Sequence, residues 1–180
     1  MRARAAGMAA IVLLFAVMLP TPPGGQAQDI PSCGKVVCPA GAAVQTTADP
    51  SENDYYFACQ TAAQSAYVNF AEAAISTSAM AFKPLIMSPM TGDPVLEGKA
   101  QTHLNELRNT SGAKTLQEAM SHCTKKTQPE RVTVLQNPSG SGQFFVRDAS
   151  GAQAWMPKSY AEPAKGKSAQ APTVMHRPPW

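Results

Sequence analysis

The chain has 180 residues, 44% of them hydrophobic and 15% charged, with 15 Lys+Arg against 12 Asp+Glu. That length builds one ordinary domain and excludes a large multidomain machine. The formal charge of +3 is small, and its densest clusters, Lys125-Lys126 and Lys165-Gly166-Lys167, fall short of the basic face that nucleic-acid binding requires.

The N-terminus has the layout of a secretory signal peptide over residues 1–27. Arg2 and Arg4 form a positive start, Met8 to Leu19 is an uncharged apolar run, and Pro20 to Gly25 breaks any helix. Gly25-Gln26-Ala27 then places small residues where a signal peptidase needs them. Twelve apolar residues span only ~18 Å as a helix, too short for a ~30 Å hydrocarbon core. Cleavage after Ala27 removes two arginines and no acid, leaving 13 basic against 12 acidic side chains. A secreted or periplasmic protein is expected, with no membrane insertion after cleavage. The alanine-rich signal favours a bacterial envelope.

All four cysteines, Cys33, Cys38, Cys59 and Cys123, lie beyond the signal. An even count in an exported chain reads as two disulfides. The intervals of four, twenty and sixty-three residues lack the close pairs of zinc sites and the CxxC of redox proteins. The preferred pairing is Cys33–Cys38 with Cys59–Cys123. Cys38–Cys59 with Cys33–Cys123 is the alternative.

Residues 28–49, rich in Gly, Pro, Ala and Thr, read as an extended cysteine-bearing arm, and 50–157 as the folded domain. Asp49-Pro50-Ser51-Glu52 carries an N-cap, a first-turn proline and an early acid, predicting a helix that runs to about Phe82, before Pro84. Its wheel shows one ridge through Ala62, Ala66, Phe70, Ala73 and Thr77, and another through Phe57, Val68, Ala71 and Ile75. Such a helix has partners on two sides. Lys83 to Gly92 reads as a turn-rich link. Asp93-Pro94 predicts a second helix to about Arg108, and Thr115 to Glu118 is a capping box opening a third, which turns Cys123 inward. Beyond Pro129 the period changes to two: strands at Arg131–Leu135 and Gln143–Arg147, and a third ending at Trp155-Met156. Residues 158–180 read as a disordered Pro/Ala/Lys-rich tail. The expected fold is therefore a disulfide-stapled, single, mainly α domain with a small C-terminal antiparallel β-meander.

No GxSxG, HExxH or P-loop motif occurs, and only three histidines are present. His103 and Glu106 have the spacing of a surface helical pair, and Glu72 has no evident carboxylate partner for acid–base work. Neither catalytic residues nor a cofactor are expected. By elimination, the function is that of an exported non-enzymatic accessory or structural protein. It would contact other envelope or secreted proteins in a cell-envelope or secretion assembly. Trp180, in Arg177-Pro178-Pro179-Trp180, is the candidate partner anchor. One alternative is a periplasmic Cu(I)-binding protein using Met87 and Met90, whose thioethers three residues apart can converge on a soft ion. A small secreted hydrolase is a second.

Overall fold

The first strand lies where the sequence suggests only an extended arm. In the computed structural model, which describes residues 32–82 and 84–164, Ala43–Thr46 forms β1 with Val44 and Thr46 turned into the core. The Asp-Pro-Ser-Glu signal makes only a 3-10 turn, Pro50–Glu52, with Asp49 accepting from the Ser51 N–H. Asn53 then adopts the left-handed conformation and ends the turn. The aromatic run that follows is a strand, β2 (Tyr56–Cys59), every residue of which is buried. The helix proper, α1 (Ala62–Met80), starts at Thr61, whose hydroxyl accepts from the Gln64 N–H at 3.1 Å.

Asp93-Pro94 starts no helix either. Pro94 sits in a β-bridge with Met87, and α2 runs over Gly98–Ser111 until Gly112, at φ 73°, ends it. The capping-box start of α3 (Leu116–Ser121) is present: Thr115 accepts from the Glu118 N–H, and Glu118 accepts from the Lys114 N–H. Cys123, however, opens a strand, β3 (Cys123–Lys126), instead of lying on the helix. The remaining strands are β4 (Arg131–Gln136), β5 (Gln143–Arg147), β6 (Gln153–Pro157) and β7 (Ala161–Pro163). The reading of residues 158–180 as tail thus needs correction at its start, because Lys158–Tyr160 form a 3-10 turn ahead of β7. Residues 1–31 and 165–180, on which the expected signal peptide and Trp180 fall, lie outside the described residues.

These strands form one antiparallel sheet of seven, in the order β3-β2-β6-β5-β4-β1-β7. A mainly helical domain with a small meander is therefore the wrong architecture: the meander β4-β5-β6 is the centre of a larger sheet. The sheet is strongly curved. Tyr56 on β2 meets Tyr160, just before β7, with ring centroids 5.4 Å apart, although four strands separate them in the sheet order. A register shift between Val134 and Gln136 supplies local bending, since a bulge raises twist. The concave side holds one core of Val44, Tyr56, Val132, Val134, Phe144 and Met156.

The three helices form a second layer on the outside of the β2 end. Phe57 and Cys59 point there, opposite to Tyr56 and Ala58, and pack with Tyr67, Val68, Ala71, Leu104, Leu116 and Ala119. Of the two ridges expected on α1, the Val68–Ala71 ridge is the buried one, with Ser65 and Tyr67 beside it. Ser65 is the polar member of this buried set. Its hydroxyl donates to Gln143 at 2.7 Å, which makes its burial tolerable. Asn69 accepts from the Phe57 N–H and donates to the Phe57 carbonyl, each at 2.8 Å, locking α1 to β2 as a strand neighbour would.

Cys33 is bonded to Cys38, and Cys59 to Cys123. The second bridge was expected to join two helices. It joins directly opposed residues of β2 and β3 instead.

Candidate functional site

Two cavities flank the C-terminal half of α1, and most of the exposed large apolar side chains follow it in the chain; a separate cleft of about 650 Å³ lies by the Cys33–Cys38 loop and Pro157–Ser159. On one side, between that helix and the turn at Glu52–Tyr55, lies a cleft of about 640 Å³. The rings of Tyr55 and Tyr160 and the side chains of Ile75 and Met80 wall it, and Glu52, Asp54 and Glu72 stand around it. Among the described residues, no lysine or arginine lines it. The Tyr55 hydroxyl donates to Glu72 at 2.9 Å, and Lys125 sits over the Tyr55 ring, 3.4 Å from its centroid. On the other side of α1 is a shallower groove of about 350 Å³, made by Phe70, Ala74, Leu96 and Ala100. Ala73 and Thr77 line both. The helix is thus open on two sides over its last two turns.

Beyond α1 the chain carries a run of large apolar side chains in contact with solvent. Phe82 is 95% exposed, Met90 86% and Ile86 71%, with Met80 and Val95 also exposed. Phe82 also has φ 51°, the left-handed conformation that glycine favours and a bulky residue adopts at a cost. The segment that follows is firmly built. Residues 86–95 form a small hairpin, in which the Val95 N–H donates to the Ile86 carbonyl and the Ser88 N–H to the Asp93 carbonyl, both at 2.8 Å. The Leu116 N–H holds the Thr91 carbonyl at 2.8 Å, fixing the hairpin to α3.

The hairpin is pinned beside its turn by a buried ion pair. Asp93, 2% exposed, accepts from Arg108 of α2 at 2.5 Å and from the Tyr67 hydroxyl of α1. Three elements therefore meet on one carboxylate. The sequence offers no periodic signal for this clamp, because Asp93 reads as an N-cap.

All four tyrosines titrate high. Burial is the first cause in each: it raises Tyr55, Tyr56 and Tyr67, with neighbouring Glu72, Glu130 and Asp93 adding to it. Tyr160 is pushed up to about 12 by burial and by Asp54 beside it. A raised phenol contributes stability that is fully present below the unfolded value of about 10 and is lost as pH rises through the folded value. Ultraviolet titration of the native protein should therefore show little tyrosinate at about pH 10, where the urea-unfolded chain is half-ionised. A native curve that overlays the unfolded one would contradict these assignments.

The other expected site residues fall as follows. Met87 lies in the hairpin bridge and Met90 at its exposed turn. His122, one of the three histidines, ends α3, and Cys123 beside it is oxidised in a disulfide. His103 lies edge-on to Phe70 and 3.8 Å from Glu106, both members of the pair being solvent-exposed. Glu72 is engaged by Tyr55. Among the described residues, no group of three His, Cys, Asp or Glu side chains is arranged to hold a metal ion.

A further cavity, about 240 Å³, opens on the concave face of the sheet. Lys126 lies across it, 3.0 Å from Glu130 and 3.6 Å from Asp148. The Ser150 hydroxyl and backbone, with Lys126, hold the Asp148 carboxyl below its usual range. Every charged group there has a partner. The surface around α1 is different, since its large apolar groups face water.

No protein-family model, curated protein or solved structure matches the chain. The two disulfides are compatible with an extracellular or periplasmic location. No helix among the described residues is long and apolar enough to cross a membrane.

Proposed function

We propose that this is an exported, non-enzymatic binding protein that acts by protein–protein contact in a cell-envelope or secretion assembly. Its contact face is the end of α1 together with the 86–95 hairpin. One observation carries the reading: among the described residues of 80–95, six large apolar side chains, Met80, Phe82, Ile86, Met87, Met90 and Val95, are exposed, the last four on the hairpin that Asp93 clamps. Leaving such groups wet forgoes hydrophobic stabilisation, and a contiguous apolar patch is the usual mark of an interaction site. The rigid hairpin lowers the ordering cost of binding, as preorganised interfaces do. The signal-like N-terminus and the paired cysteines support export.

The test is in-cell photo-crosslinking. A photoreactive residue at position 82 should yield a discrete adduct with another envelope protein. The same probe at Ser150, on the β5–β6 turn, should not. Equal labelling at both positions, or none at 82, rejects the proposed face.

A further inference from the structure

The aromatic-walled cleft beside α1 has a second use, and of the exposed apolar side chains of the proposed partner face it takes in only Met80. We infer that it is a docking groove for a basic segment of the same chain, residues 165–180. Charge and shape both point to this occupant. Glu52, Asp54 and Glu72 put three carboxylates around the cleft, with no lining lysine or arginine among the described residues. Residues 165–180 contain Lys165, Lys167 and Arg177 and no acidic side chain. Cationic side chains can lie on the Tyr55 and Tyr160 rings, as Lys125 already does on Tyr55 from outside the lining. Val174, Met175 and Trp180 offer apolar bulk for the Ile75 and Met80 wall.

The connection is short. Tyr160 is itself part of the wall, and the segment leaves β7 after Ala164, whose N–H is held by the Ala43 carbonyl at 3.3 Å. Sixteen residues reach roughly 50 Å when extended, ample to turn back to a wall only four residues upstream. Tethering gives the segment an effective concentration on the order of millimolar, so modest contacts suffice to fill the cleft. The segment would then shield one of the two open sides of α1.

Zero-length carbodiimide coupling of the full mature chain tests this directly, because it joins a lysine amine only to a carboxylate in contact. Mass mapping of the monomer should find Lys165 or Lys167 linked to Glu52, Asp54 or Glu72. The yield should fall about fivefold in 1 M salt, where the Debye length drops to about 3 Å. The variant Lys165→Gln/Lys167→Gln/Arg177→Gln provides a second readout that leaves the described fold untouched. With the competing cations gone, an added Lys- and Arg-bearing peptide of the 165–180 sequence should couple to the same carboxylates several-fold more than in the parent chain. Links spread evenly to distant acids such as Glu106 and Glu118, links only between two copies, or peptide coupling unchanged in the variant would overturn the assignment.

Discussion

Replacing Cys59 and Cys123 together by alanine should lower stability by about 4 kcal/mol. The bridge closes a separation of 64 residues that contains all three helices. Without it, β3 is an edge strand attached to the sheet only through β2, and the α3–β3 connection must hold it unaided. The Cys33–Cys38 bridge closes a separation of five, so the same chain-entropy reasoning gives only about 2 kcal/mol for its loss. Urea unfolding of the two double-alanine variants measures the difference. Equal losses would mean that the long loop is already ordered in the unfolded chain, and that the bridge does not act as described.

Asp93→Ala should cost about 3 kcal/mol, the low end for breaking a buried pair, because the Arg108 side chain retains some contact with water. The substitution removes the acceptor of both Arg108 and the buried Tyr67 hydroxyl. Tyr67→Phe keeps the ion pair and should cost only about 1 kcal/mol. The two variants also separate structure from display. Asp93→Ala should make residues 86–95 the first site of limited proteolysis, whereas Tyr67→Phe should leave them protected. A resistant hairpin in Asp93→Ala would show that its own backbone bonds hold it, without the clamp.

The part of the fold legible in the sequence is the part governed by local pattern. Val132 and Val134 of β4 alternate with polar neighbours and so read as one face, whereas the Phe144-Phe145-Val146 run of β5 reads as a strand without showing which side is inward. Thr115–Glu118 carries its own capping bonds and needs no tertiary help. The errors share a physical origin. Asp-Pro-Ser-Glu opens a 3-10 turn as readily as a helix, and the left-handed Asn53, which decides between them, gives no periodic signal. Tyr56 to Cys59 is buried on both faces, so it shows no alternation and merges with the helical pattern after it. β1 and β7 are four and three residues long and exist only through tertiary pairing, β1 between β4 and β7 and β7 on β1 alone. At the site, the two-sided character of α1 was legible as two apolar ridges. Which ridge stays open was not, because that depends on where the curved sheet presents Phe57 and Cys59. The exposure of Phe82, Ile86 and Met90 is likewise a tertiary property.

The proposed function requires that the apolar end of α1 be a partner face. The direct measurement uses the protein captured by the probe at position 82 and compares its binding to the parent chain and to Phe82→Ser/Ile86→Ser/Met90→Ser. These side chains are exposed, so the variant should unfold within about 0.5 kcal/mol of the parent. Its affinity for that protein should fall at least tenfold, about 1.4 kcal/mol. Unchanged affinity in a fully folded variant would contradict the central claim and return the exposed hairpin to a surface without a partner.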